Sequence, residues 1–194
     1  MASSHVVPLF PLKKVYLFPG SIMPLMIFEE RYRSMVEDLL DGPGRLVLGA
    51  VADEEADMAG APNVHDVAGL GEIGKHVRLP DGRFIIWLFG LGRVRIKEAP
   101  SEHPYRMVTA EQLEEVPVPR GLRPGLEQRL HDAFLHHKEE NNELELPENL
   151  PVEFLTDLLM QKLKLEQPMM QELFSEPVVQ RRAERALELH GERE

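Results

Sequence analysis

Between Val7 and Tyr32 a strongly apolar run is cut by proline so often that most regular structures are closed to it. Pro8, Pro11, Pro19 and Pro24 each remove a backbone donor and fix φ, so neither a helix nor a central strand absorbs the stretch. Short edge strands joined by tight bends remain. After Pro24 the prolines stop, and Phe28, Tyr32, Met35, Val36, Leu39 and Leu40 fall at helical spacing behind Glu29 and Glu30, which suit a positive helix N-terminus. The expected opening order is strand, bend, strand, helix.

With 194 residues the chain can bury one large core or two small ones. The absence of cysteine excludes disulfides, thiolate metal sites and thiol nucleophiles, and leaves the cytoplasm as the default compartment. The first apolar segment is broken by Pro19, Gly20 and Pro24 and lacks a following small-residue cleavage site, unlike a signal peptide. No run approaches the ~20 apolar residues of a spanning helix, so no membrane is expected. A formal charge of −11, spread along both halves, repels a phosphate backbone and makes nucleic acid a poor partner.

From Gly44 to about Pro117 the sequence reads as strands. Residues 45–51 form a short proline-free apolar run, the pattern of a strand buried on both faces. Residues 53–68 carry acids, alanine, glycine and proline without a period and read as a surface loop. Pro80-Asp81-Gly82 separates residues 72–79 from 83–89 and predicts a β-hairpin. A second turn is expected at Gly90-Leu91-Gly92, before the alternating Arg93-Val94-Arg95-Ile96-Lys97, and a last strand covers residues 105–113. Consecutive antiparallel strands with one early helix suggest a curled sheet or pseudo-barrel.

Pro117, Pro119, Gly121, Pro124 and Gly125 form a breaker-rich joint, where the period changes from 2 to 3.6. The domain boundary is expected here, dividing a β-rich domain, 1–118, from a helical bundle, 119–194. Leu126, Leu130, Ala133, Phe134 and His137 make one helical stripe, and an acidic connector spans 139–149. Pro151 starts a helix that turns Val152, Leu155, Leu158, Leu159 and Leu163 inward. Pro168 and Pro177 start two more, the last with Val178, Val179, Arg182, Ala183, Ala186 and Leu187 on its stripe.

Catalytic groupings are missing. Gly69-Leu70-Gly71-Glu72-Ile73-Gly74 matches G-x-G-x-x-G, but a hairpin follows it instead of a βαβ unit, so no dinucleotide site is expected. The P-loop pattern is absent. His136 and Glu140 stand one helical turn apart with His131 nearby, but His131 lies well around the helix, so a solvated face is expected instead of a metal site. No serine lies in G-x-S-x-G or S-x-x-K, and the paired acids at 53–55, 114–115 and 139–140 sit in polar surroundings. We therefore expect no enzyme activity, no metal and no cofactor. Thioethers adapt to irregular partners, so Met23 and Met26 around Pro24, with Met169, Met170 and Phe174, are candidate protein-binding residues beside their alternative role as core filling.

Several of these segments together resemble the N-terminal, substrate-binding domain of Lon proteases. The resemblance rests on the opening segment, on Gly71-Glu72-Ile73-Gly74, on Leu79-Pro80-Asp81-Gly82-Arg83 and on Gly90-Leu91-Gly92-Arg93-Val94-Arg95-Ile96, in the family's order and spacing. It is strong to about residue 115 and looser beyond. The form of residues 24–33 looks most like the bacterial members that consist of this domain without its usual companions. What the resemblance implies is an α+β fold, a PUA-like antiparallel β pseudo-barrel with one early helix followed by a C-terminal helical bundle. It further implies a non-catalytic module that binds protein or peptide segments, with ATPase and peptidase residing in other domains. PUA-like barrels elsewhere bind RNA, which makes Arg78, Arg83, Arg93, Arg95 and Lys97 the basic strip of an alternative reading.

Overall fold

The computed structural model describes residues 5–136, 147 and 150–192. The chain divides between Leu113 and Glu114 into two compact units. The first is built on β1 (His5–Leu12), β2 (Ile22–Ile27), α1 (Glu30–Leu40), β3 (Arg45–Ala50), β4 (Val67–Arg78), β5 (Phe84–Ala99) and β6 (Arg106–Gln112). The second holds α2 (Arg123–His136), α3 (Val152–Lys162), α4 (Gln167–Ser175) and α5 (Val179–Gly191). The α+β expectation holds.

The six strands run in the order β2-β5-β4-β3-β1-β6, and β6 pairs back to β5. Five strands therefore close on themselves, and β2 continues the sheet beyond the closure along the first half of β5. All pairings are antiparallel except β1 with β3, which is parallel. A parallel neighbour needs a long crossover, and the chain between these two strands, including α1, supplies it.

β1 is not the edge strand that its prolines suggest. Its first half pairs with β6 and its second with β3, overlapping only at Leu9. Pro8 is registered with β6 alone and Pro11 with β3 alone, so a missing donor has one side of the strand open to it. β2 is an edge strand, as expected.

Val7, Leu9, Val47, Ala68, Val94, Ile96, Val108 and Ala110 fill the closed part. A second cluster holds Phe10, Leu17, Ile27, Tyr32, Met35, Val36, Leu46, Leu48, Phe84, Ile86 and Leu88. Alternate residues of β1 and β3 thus enter different clusters, which explains the uniformly apolar β3. Phe28 and Leu40, expected on the buried stripe of α1, are exposed because they flank the helix at its ends.

The hairpin forms as predicted. Leu79 N–H donates to Arg83 O (2.8 Å), Asp81 Oδ1 accepts from Arg83 N–H (3.1 Å), and Gly82 takes φ +84°. The second expected turn does not form: β5 runs unbroken through Gly90-Leu91-Gly92, with a register shift that leaves Leu91 as the extra residue. The glycines there and in β4 serve close packing. A Cβ on Gly90 would lie 2.0 Å from Phe18 O, and one on Gly69 would lie 2.4 Å from Leu17 O. In the G-x-G-x-x-G match, Gly69 and Gly71 are thus the imprint of Leu17 crossing β4, while Gly74 makes room for the Phe89 ring.

In the helical unit Leu126, Leu130, Ala133, Phe134, Val152, Leu155, Leu159, Leu163, Val179, Ala183 and Ala186 are buried. Arg182 belongs to the same interior. Its guanidinium pairs with Glu115 (2.8 Å), donates to Glu176 O (2.9 Å) and lies 3.7 Å from the buried carboxylate of Asp157. His137 and the acidic connector, apart from Pro147, lie outside the described residues.

Candidate functional site

β2 exposes alternate residues. Met23, Leu25 and Ile27 face the core, while Ile22 and Met26 are 55% and 51% exposed and Pro24 is exposed between them. Across the ladder Ile22 is registered with Phe89, Pro24 with Trp87 and Met26 with Ile85. Further across, Trp87 meets Lys75 and Ile85 meets Val77. The outward face is therefore apolar across β2 and β5 in three rows, and in the row Met26–Ile85–Val77 it stays apolar across β4 as well. Phe89, Val77 and the nearby Leu91 are exposed, and Trp87 and Ile85 are half-buried. An apolar patch of this kind marks an interaction site more often than a singly exposed side chain does.

Local chemistry shapes the patch. The second register shift, between Ile73 and Lys75, leaves Gly74 as the extra residue of β4, and the Phe89 ring lies where a Cβ would stand (2.3 Å). Lys75 Nζ sits 5.0 Å from the Trp87 ring centroid. Arg83 Nη1 approaches Met26 Sδ (3.6 Å), while Asp81 holds its charge at 2.7 Å. Lys75 is thus a cation on the face itself, whereas Arg83 is neutralised by Asp81.

The methionines distribute unevenly over these surfaces. Met26 lies on the face and Met23 beneath it, packed against the core. Met169 and Met170 are half-buried on α4 in the other unit. Phe174 is fully buried in the helical interior and is corrected from a contact residue to a core residue. Ile22, Ile85, Trp87 and Phe89 were missed. The signal for the last three lay in residues 84–89, where both phases of the strand are apolar.

The alternative basic strip is largely committed. Arg78 pairs with Glu37 (2.9 Å), Arg83 with Asp81 and Arg95 with Asp66 (2.9 Å), and Arg93 is buried over the Phe18 ring. Such pairing leaves little net field for a phosphate chain.

A polar cavity of about 320 Å³ lies elsewhere in the first unit, with Arg31, Tyr32, Glu98, Ser101, Tyr105 and Arg106 in its lining. Both guanidiniums hold the loop between β3 and β4: Arg31 donates to Met58 O (2.7 Å) and Arg106 to Pro62 O (2.6 Å). Burial raises the Tyr32 phenol, and burial with donation to Asp38 Oδ2 (2.7 Å) raises that of Tyr105. Burial and the nearby Glu54 push Tyr16 up to about 12. His65 is lowered by burial against the opposing pull of Asp66. Among the described residues no three His, Asp or Glu side chains are grouped to hold a metal ion, and no helix is long and apolar enough to cross a membrane. The side chain of His136 and all of Glu140 lie outside the described residues.

Residues 6–190 match the family model of the substrate-binding domain of the ATP-dependent protease La (LON). The chain belongs to the Lon substrate-binding domain family. It is 33% identical over 112 residues to Lon protease 2 of Sorangium cellulosum, covering 56% of this chain and 14% of that protein. With Lon protease of Escherichia coli it shares 25% identity over 154 residues, 78% of this chain and 19% of the relative. The chain thus spans a small part of these curated relatives. The N-terminal domain of the Mycobacterium avium complex Lon protease superposes with a TM-score of 0.75 at 14% identity, covering 96% of this chain and 98% of that one. The Lon N-terminal domain protein of Xanthomonas campestris gives 0.67 at 20% identity, covering 94% and 97%. The Lon substrate-binding fold therefore extends through the helical unit, where the sequence resemblance is looser.

Proposed function

We propose that this chain is a recognition module that holds exposed apolar segments of other proteins on the outer face of β2, β5 and β4, without chemistry of its own. One observation carries the reading: the registered rows Ile22–Phe89, Pro24–Trp87 and Met26–Ile85 point outward beside the open edge of β2, in a member of the Lon substrate-binding domain family. A folded protein hides such segments and an unfolded one displays them, so the face discriminates by exposure. Met26 is the methionine on this face. Met169 and Met170 are a second half-buried apolar pair to be tested in the same way.

Trp87 is the chain's single tryptophan and lies within the face, so its emission reports occupancy directly. Titration with a permanently unfolded protein is expected to shift the emission to the blue and to saturate in the micromolar range. The double change Met26→Ser with Phe89→Ser should weaken binding about tenfold, or ~1.4 kcal/mol. An unfolded protein that leaves the emission unchanged up to about 100 μM overturns the proposal.

A further inference from the structure

The ladder of β2 has a definite polarity. Gly90 N–H donates to Ser21 O (2.9 Å), and at the far side of β5 Leu79 N–H donates to Arg83 O (2.8 Å). Backbone groups alternate along an antiparallel strand, so residues 23, 25 and 27 spend theirs on β5. Residues 22, 24 and 26 direct theirs to the open edge. That edge offers donors from Ile22 and Met26 and acceptors from Ile22, Pro24 and Met26, because Pro24 has no N–H. These same three residues carry their side chains on the apolar face. Edge and face are thus one continuous surface.

We infer that the module's occupant is an extended segment of another polypeptide that adds as a further strand to the open edge of β2. One row of its side chains would continue the face beside Ile22, Pro24 and Met26, and the other would cover the half-buried Met23 and Leu25. The inference deepens the function proposed above and rests on it. Backbone pairing supplies affinity that is indifferent to sequence, and the apolar face selects for hydrophobic side chains. Charge selects among such segments. Lys75 on the face, over the Trp87 ring, favours flanking aspartate or glutamate over lysine or arginine. A second copy fits the edge poorly: in the centred antiparallel register Pro24 would face Pro24, two acceptors with no donor between them.

The test leaves the protein unaltered. A ten-residue peptide alternating valine or phenylalanine with threonine, and ending in aspartates, is titrated while Trp87 emission is followed. It is then N-methylated at one backbone nitrogen at a time. Strand addition predicts a period of two, with methylation at alternate positions costing about tenfold or more and the intervening positions costing less than about twofold. Replacing the aspartates by lysines should weaken binding about threefold at low salt, and the difference should close as salt rises. A flat methylation profile with retained binding overturns strand addition and leaves recognition by the face standing. A peptide that shifts nothing, where the unfolded protein does shift Trp87, overturns the inference alone; silence with both overturns the function as well. A concentration-dependent dimer that shifts Trp87 without peptide would assign the edge to a second copy and also overturn it.

Discussion

Gly90→Ala is a single added methyl whose cost can be worked from the coordinates. The backbone at Gly90 has no positive φ, so alanine meets no conformational penalty there, and the whole effect comes from space. The added Cβ would stand 2.0 Å from Phe18 O and 2.9 Å from Phe18 C. Carbon and oxygen settle no closer than about 3.3 Å, so one backbone must retreat by more than ~1 Å. Retreat is obstructed, because Gly90 donates to Ser21 O and accepts from Gly20 N–H, both at 2.9 Å. Overpacking costs about 1–3 kcal/mol and each hydrogen bond stretched out of range about 1 kcal/mol, which together give about 3 kcal/mol.

Gly92 lies two residues along the same strand with nothing within 4 Å of its virtual Cβ. Gly92→Ala should therefore stabilise by about 0.5 kcal/mol through reduced freedom of the unfolded chain. Urea unfolding followed by Trp87 emission reports from within the first unit. With an m-value near 2 kcal/mol/M, Gly90→Ala is expected to lower the midpoint by about 1.5 M and Gly92→Ala to leave it or raise it slightly. Midpoints for the two variants within about 0.3 M of each other would refute the claim that residues 17–18 lock onto β5 through Gly90.

Three further outcomes are expected. Arg182→Met should destabilise the helical unit by about 3–5 kcal/mol, read as loss of helical circular dichroism in urea, because the buried carboxylate of Asp157 loses its neighbouring cation; adding Asp157→Leu should recover much of that loss. Arg106→Ala should release the loop that Arg106 holds through Pro62 O, speeding hydrogen exchange at the amides around Ala59 while leaving the exchange of β3 unchanged. Tyr16, raised to about 12 by burial and Glu54, binds its proton more tightly folded than unfolded; stability is therefore whole below about pH 10 and declines as pH rises toward 12, which phenolate absorbance and alkaline urea midpoints would show. All three tyrosines ionising together near pH 10 would contradict it.

Local chemistry made much of the fold legible. Pro80-Asp81-Gly82 specifies its own turn, and Leu126, Leu130, Ala133 and Phe134 specify the buried side of α2, because each depends on neighbours a few residues away. What failed depended on distant chain. Gly90 and Gly92 look like a turn when only their own freedom is weighed, but Gly90 is glycine because Phe18 passes over it. Pro8 and Pro11 look like edge residues because the exchange of partners at Leu9 cannot be seen from β1 alone.

The candidate site was hidden for a related reason. Residues 84–89 are apolar in both phases, and an apolar run of that kind is the ordinary mark of a strand covered on both sides. Phe84, Ile86 and Leu88 are covered, joining the cluster that includes Met35 and Val36 of α1. Ile85, Trp87 and Phe89 carry the same hydrophobicity on the other face, where Phe89 remains 40% exposed. Solubility alone gives no reason to retain three large apolar side chains there when threonine or lysine would keep the strand. Lys75, registered with Trp87 on the neighbouring strand, shows that the position next to Trp87 tolerates charge. On the proposed reading the outward phase serves contact with another polypeptide, and the unpaired edge of β2 beside it is where that contact would begin.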